Sequence, residues 1–286
     1  MIEILLGDNP FIGVSHLSQD KAREESRESV LENKVKVIEA AINGGATGFT
    51  FSTHPLNLEL LQYIAKYRRE LLDKLDYYIL TPYAQSYVRT ANIAGTPNLI
   101  SSIIKRINPS SLTAFLTLNV NKLLGLFLES EIEPYLKILP KKRIKSILIH
   151  EVITELLIAF NLYDTLKELD KHFTKKDIDF GVESRNISAL DLFLKNNGLN
   201  IKYVMTPFNC IGYQMARDFT SAMNAIDNLS RKSKIIAISI FGAGILSLDE
   251  VIDYLSKHKD KIYAITTAST KADVIYNNCR RFSSLN

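Results

Sequence analysis

Residues 145–150 read Lys-Ser-Ile-Leu-Ile-His. Three large apolar side chains, Ile147, Leu148 and Ile149, stand in a row between polar ends. A short unbroken apolar run of this kind suits a parallel strand covered on both faces, where a half-exposed strand would alternate. Lys234–Phe241 repeats the pattern in Ile235-Ile236-Ala237-Ile238. Six other short runs rich in β-branched and apolar residues follow the same rule: Glu3–Leu6, Gly48–Ser52, Tyr77–Thr81, Ile178–Val182, Ile201–Thr206 and Ile262–Thr267.

Helical patterns fill the gaps. Val35, Ile38 and Ile42 share one face at helical spacing, as do Met215, Phe219, Ala222, Ile226 and Leu229. Ile275, Cys279 and Phe282 make another stripe. Ser247 and Glu250 read as a capping box ahead of Leu248, Val251, Ile252 and Leu255. Ser29–Glu32 and Thr270–Asp273 read as further helix starts. Eight alternations of strand and helix imply a parallel sheet, and favour an α/β fold of the (β/α)8 TIM barrel type over a doubly wound open sheet.

The 286 residues carry 35 basic and 31 acidic side chains, a net charge of +4, with 46% hydrophobic and 23% charged residues. This is ordinary globular composition and excludes a disordered chain. One barrel domain over 1–286 accounts for the length. The basic clusters Lys141-Lys142-Arg143 and Arg280-Arg281 are short, and no basic and aromatic stripe is present, so no nucleic acid is expected as a partner. The apolar stretch 112–128 is broken by Asn119, Asn121 and Lys122, and 235–246 is too short to span a bilayer. Met1-Ile2-Glu3 leads straight into a strand-like run. A cytoplasmic protein without membrane partners is expected, with Cys210 and Cys279 as free thiols.

Two connections are long. One runs from Gly7 to Glu28 and ends in the charged run Asp20–Glu28. The other lies between the third and fourth strands and is expected to hold a helical insertion at about 97–140, whose apolar character suggests a homo-oligomer contact.

Barrel enzymes place their chemistry at the C-terminal ends of strands. Asp8, Asn9 and then His16 follow the first strand, His54 the second, and Tyr83 and Arg89 the third. The fourth ends in His150-Glu151, the fifth in Glu183-Ser184-Arg185, and the sixth leads to Asn209. His172 and His258 fall near helix C-termini and read as structural. Two chemistries fit the rim. A divalent metal could draw ligands from His16, His54, His150, Glu151 and Glu183, although no compact ligand motif is present. Alternatively His150, oriented by a carboxylate, acts as general acid or electrophile toward a carbonyl, with Tyr83, His54 and Glu183 around it. Asp8, Asn9, Arg89 and Asn209 are the expected substrate contacts. After the last two strands, Gly242, Gly244, Ser269, Thr270 and Lys271 read as a phosphate site. Gly242 also reads as a turn residue, and Thr270 as an N-cap.

In this order the features resemble the aldo-keto reductase superfamily. Ser146–His150 is similar to that family's fourth strand, which ends in the active-site histidine. Phe180-Gly181-Val182-Glu183-Ser184 is similar to its fifth strand, where Gly-Val-Ser is usual. Thr206-Pro207-Phe208-Asn209 resembles its sixth, Phe241–Ser247 its seventh-strand loop, and Ser269–Asn277 its last loop and helix, which hold the NADP phosphate. The resemblance implies NADP or NAD as cofactor and a small-molecule substrate. It also brings departures. The Asp-Thr-Ala segment and the Tyr expected after the second strand are replaced by Phe49–Pro55. The lysine ending the third strand is absent from Leu80-Thr81-Pro82-Tyr83, and the last-strand loop, Thr267-Ala268-Ser269, lacks its glycine. Of the catalytic tetrad only His150 carries over. The expectation is a divergent NAD(P)-linked oxidoreductase. The alternatives are a metal-dependent lyase, isomerase or hydrolase on the same barrel, and a ligand-binding barrel without turnover.

Overall fold

A computed structural model describes residues 1–13, 31–83 and 120–286. Eight parallel strands close into a barrel in chain order. They are β1 (Glu3–Gly7), β2 (Gly48–Ser52), β3 (Asp76–Thr81), β4 (Ile144–Ile149), β5 (Asp179–Glu183), β6 (Tyr203–Pro207), β7 (Lys234–Ile238) and β8 (Ala264–Thr267). Strand β8 returns to β1 with Glu3 opposite Ala264, which closes the ring. Each expected run holds one strand. The seventh stops at Ile238 instead of reaching Phe241, because Ser239 takes φ 52°, a left-handed conformation no strand can continue.

The described outer helices are α1 (Leu31–Gly44), α2 (Pro55–Tyr67), α3 (Val120–Leu136), α4 (Glu151–Ala159), α5 (Tyr163–Thr174), α6 (Ile187–Asn196), α7 (Phe219–Ser230), α8 (Leu248–Ser256) and α9 (Ala272–Ser283). Their apolar stripes face the barrel, with Val35, Ile38 and Ala41 buried on α1 and Ile275, Cys279 and Phe282 on α9. Helices α1 and α9 meet at Gly44, where a Cβ would lie 2.6 Å from the Tyr276 carbonyl oxygen, so only glycine allows that approach. The capping box at Ser247 and Glu250 forms as expected. Met215 is buried, but it precedes α7, whose cap is Asp218. Helix α9 starts one step later than its sequence suggests: Lys271, rather than Thr270, stands at the N-cap and supplies no side-chain bond.

Helix α3 is the described part of the expected insertion. It packs on β3 and on the neighbouring helices α2 and α5, burying Leu128, Ile132 and Tyr135. It therefore serves as the outer helix of the third βα unit. Residues 97–119 of the insertion, the charged run Asp20–Glu28, His16 and Arg89 lie outside the described residues.

The barrel interior is filled rather than open. Leu5, Tyr78, Leu148, Tyr203, Met205, Ile236 and Ala264 form its core. Glycines at inward positions make the room: a Cβ on Gly48 would stand 2.6 Å from Leu5 Cδ2. At the N-terminal end Tyr203 meets Tyr78 and Tyr263 edge to face, with centroids 5.7 and 5.6 Å apart, and Lys234 Nζ lies 4.2 Å from the Tyr263 ring centre. Burial pushes the Tyr78 and Tyr203 phenols well above the ordinary range, so both phenols stay protonated. With the floor plugged, polar chemistry is left to the C-terminal mouth.

Candidate active site

Strand register sets the first relationship in the mouth. Ile149 pairs with Val182, so the next residues, His150 and Glu183, follow side by side at the ends of β4 and β5. Both continue the inward phase of their strands, after Leu148 and Gly181.

His150 is also the N-cap of α4, and its Nδ1 accepts the Val152 backbone N–H at 3.2 Å. A nitrogen that accepts a hydrogen bond carries no proton, so the neutral ring holds its proton on Nε2. Burial lowers the imidazole pKa, and the charge of Glu151 opposes that shift. His54 repeats the device. It caps α2, with Nδ1 accepting the Leu56 N–H at 3.0 Å. Its pKa is lowered by burial first and by the Lys34 charge second. The His54 ring stands edge-on to Tyr83 at 4.5 Å, and the Tyr83 N–H donates to Thr53 Oγ1 at 3.1 Å. The Tyr135 hydroxyl, from α3, donates to the His54 carbonyl at 2.9 Å.

Two buried carboxyl groups face different surroundings. Asp8 Oδ2 accepts from the Ser52 N–H at 2.9 Å, the Ser52 hydroxyl at 2.8 Å and the Asn57 amide at 2.6 Å. Burial raises its pKa, while those three donors favour the carboxylate. Glu183 accepts one backbone bond, from the Glu151 N–H at 3.3 Å. Burial first, and the Glu151 charge second, push it up to about 7.

The turn after β5 is gripped by α4. Glu151 pairs with the Arg185 guanidinium. One turn on, Glu155 Oε1 accepts from the Ser184 hydroxyl at 2.7 Å, the Arg185 N–H at 3.2 Å and the Asn186 N–H at 3.1 Å. Asn186 then caps α6 through Ala189. Sequence reasoning passed over Glu155, Asn57 and Ser52. Asn57 had a signal, since it is a polar residue on the apolar face of α2 that is wholly buried.

Asn209 ties two loops together. Its amide donates to the Tyr213 and Ser239 carbonyls at 3.0 and 3.1 Å, and its oxygen accepts the Tyr213 N–H at 2.8 Å. Expected as a substrate contact, Asn209 makes its described hydrogen bonds to loop backbone. Ser239 also donates to Gln214 Oε1 at 2.9 Å. Gln214, Arg217, Ser239 and Ala243 all hold left-handed φ, between 52° and 71°. Strain of this kind concentrates at functional loops.

The expected phosphate residues divide. Gly242 takes φ +53°, and a Cβ there would run into Ile211, so a turn and a protein neighbour account for this glycine. The N-terminus of α8 is filled by its own Ser247–Glu250 box. The N-terminus of α9 is open: Ser269 Oγ accepts the Lys271 N–H at 3.1 Å, and the amides beyond it receive no side-chain cap. Lys271 is exposed there. Asn9 is exposed at the start of the short helical turn after β1.

Among the described residues, no three His, Cys, Asp or Glu side chains come together as a metal site would require. Of the expected ligands, His54, His150, Glu151 and Glu183 are described, and both imidazoles already use Nδ1. Cys210 and Cys279 are free. No described helix is long and apolar enough to cross a membrane.

No protein-family model and no curated protein matches the sequence. Solved structures do match its fold. A Pseudomonas aeruginosa protein described as a “putative aldo-keto reductase” superposes with a TM-score of 0.58 at 14% identity, over 99% of this chain and 90% of that one. The glycerol dehydrogenase of Gluconobacter oxydans gives 0.54 at 11%, over 99% and 89%. A variant of Gox0644 in complex with NADPH gives 0.51 at 12%, over 98% and 83%. At these identities the common property is architecture: the chain has the closed eight-stranded barrel fold of the aldo-keto reductases.

Proposed function

We propose that this chain is an NAD(P)-linked oxidoreductase that reduces the carbonyl group of a small molecule. The observation that carries the reading is the state of His150. It stands at the end of β4, is neutral, and has Nδ1 capped by a backbone amide, which leaves Nε2–H to donate. A neutral imidazole donor suits a carbonyl oxygen, because it polarises and orients the oxygen without bringing a full charge into the site. His54 and Tyr83 pack against each other after β2 and β3, and Asp8 holds the end of β2 in place through Ser52 and Asn57.

A nicotinamide nucleotide, when bound, would supply the hydride. Its fit rests on the open N-terminus of α9, where unpaired amides, Ser269, Thr270 and Lys271 offer donors and one cation to a phosphate. Gly242 and Gly244 shape the neighbouring turn. Calorimetric titration with NADPH and NADH tests the reading. Binding by one of them at about one per chain is expected, and no heat with either removes the oxidoreductase.

A second reading, ligand binding without turnover, draws on one observation. The end of β3 carries no lysine, so the family's tyrosine–lysine pair is missing. It predicts that His150→Ala alters affinity only. The first reading predicts a loss of turnover of roughly 100-fold or more.

A further inference from the structure

The two neutral histidines leave a chemical gap. An imidazole whose Nδ1 accepts a backbone N–H can donate a hydrogen bond from Nε2. It cannot surrender that proton without becoming an imidazolate. His150 and His54 are both in this state, by the bonds from Val152 and Leu56. Another group must deliver the proton that a reduced carbonyl oxygen takes up.

We propose that Glu183 is that group, the acid that protonates the carbonyl oxygen oriented by its neighbour His150. The assignment rests on the oxidoreductase reading above. Register sets the two residues side by side at the ends of adjacent strands, about 5 Å apart across the sheet. Glu183 is buried, and one backbone amide, from Glu151, is the hydrogen bond its carboxyl accepts among the described residues. The other carboxyl groups nearby are held by more donors or by a cation. Asp8 takes three donors on one oxygen, Glu155 takes three, and Glu151 faces Arg185. Burial and the Glu151 charge hold Glu183 up to about 7, so near neutral pH protonated and ionised forms are both populated and the group can release and regain a proton.

The step balances. The carbonyl carbon gains a hydride from reduced nicotinamide, and the C=O double bond becomes a C–O single bond. The Glu183 O–H bond breaks as the new O–H bond forms. Water returns the proton to the carboxylate. The net consumption is one NAD(P)H and one proton per alcohol formed.

The test compares wild type with Glu183→Gln, using NADPH and 4-nitrobenzaldehyde as the probe. Infrared difference spectra between the two, recorded without nucleotide, should show a protonated-carboxyl band below pH 7 that fades as pH rises through about 7. The wild-type kcat should fall over the same range. Glu183→Gln should bind NADPH within about threefold of wild type, yet lose kcat by roughly 100-fold or more and lose that pH limb. A Glu183 that titrates in the ordinary carboxylate range, or a Gln variant that keeps its kcat and pH profile, overturns the assignment alone. If those changes follow Tyr83→Phe instead, the acid is the tyrosine. A wild-type chain that binds neither NADPH nor NADH overturns the reading and the assignment with it, and the calorimeter shows this independently of any rate.

Discussion

His54 and His150 hold equivalent posts at the ends of β2 and β4. Each accepts the backbone N–H two residues ahead, at 3.0 and 3.2 Å, and each is left with Nε2–H as its donor. One side chain thus both starts an outer helix and faces the barrel mouth.

The two duties separate by substitution. Asparagine is a good N-cap but lacks the second ring nitrogen. His150→Ala should lower the urea-unfolding free energy by about 1 kcal/mol. His150→Asn should recover most of that stability and still lack turnover. Equal stability in all three proteins would mean that the Val152 bond contributes nothing to α4.

Stability should depend on pH in two opposing ways. His54 and His150 have depressed pKa values in the folded chain. The unfolded chain therefore binds more protons below about 6.5, so their contribution is present above that pH and lost as pH falls through it. Glu183 has a raised value, about 7 against an ordinary 4.5. Its contribution is present below 4.5 and is lost as pH rises through about 7. The melting temperature of Glu183→Gln relative to wild type should accordingly climb between pH 5 and pH 8. A difference that stays constant across that interval would contradict a buried protonated carboxyl.

Asp8 is expected to matter for stability before chemistry. Truncation to alanine leaves the Ser52 N–H, the Ser52 hydroxyl and one Asn57 donor without their shared acceptor. Buried donors left unpaired cost roughly 1–3 kcal/mol each before relaxation, so a loss of about 3 kcal/mol is expected for Asp8→Ala. Chemical denaturation measures it. A loss below 1 kcal/mol would show that water enters and replaces the carboxylate.

The barrel was legible because buried parallel strands are apolar without alternation, as in Ile147-Leu148-Ile149, and because the helices between them carry clear stripes. Strand ends were less legible, since the backbone breaks them: β7 stops at Ser239 for a φ that no side-chain pattern announces. The site was legible as a set of residues after strand ends, with His54, His150, Glu183 and Asp8 all at the mouth. The helpers were not. Glu155 and Asn57 work by bonding to groups in other βα units or turns, and such partners have no fixed spacing in sequence. Asn209 was visible as a polar residue, but only the geometry shows its amide closed on Tyr213 and Ser239.

The central claim is that a nicotinamide nucleotide binds with its phosphate at the open start of α9. Isothermal titration of wild type and Lys271→Ala with NADPH and NADH tests it most directly. The account predicts about one nucleotide per chain, an affinity weakened roughly tenfold in Lys271→Ala, and an unchanged melting temperature for that exposed substitution. No binding of either nucleotide by wild type, or affinity indifferent to Lys271, would contradict it.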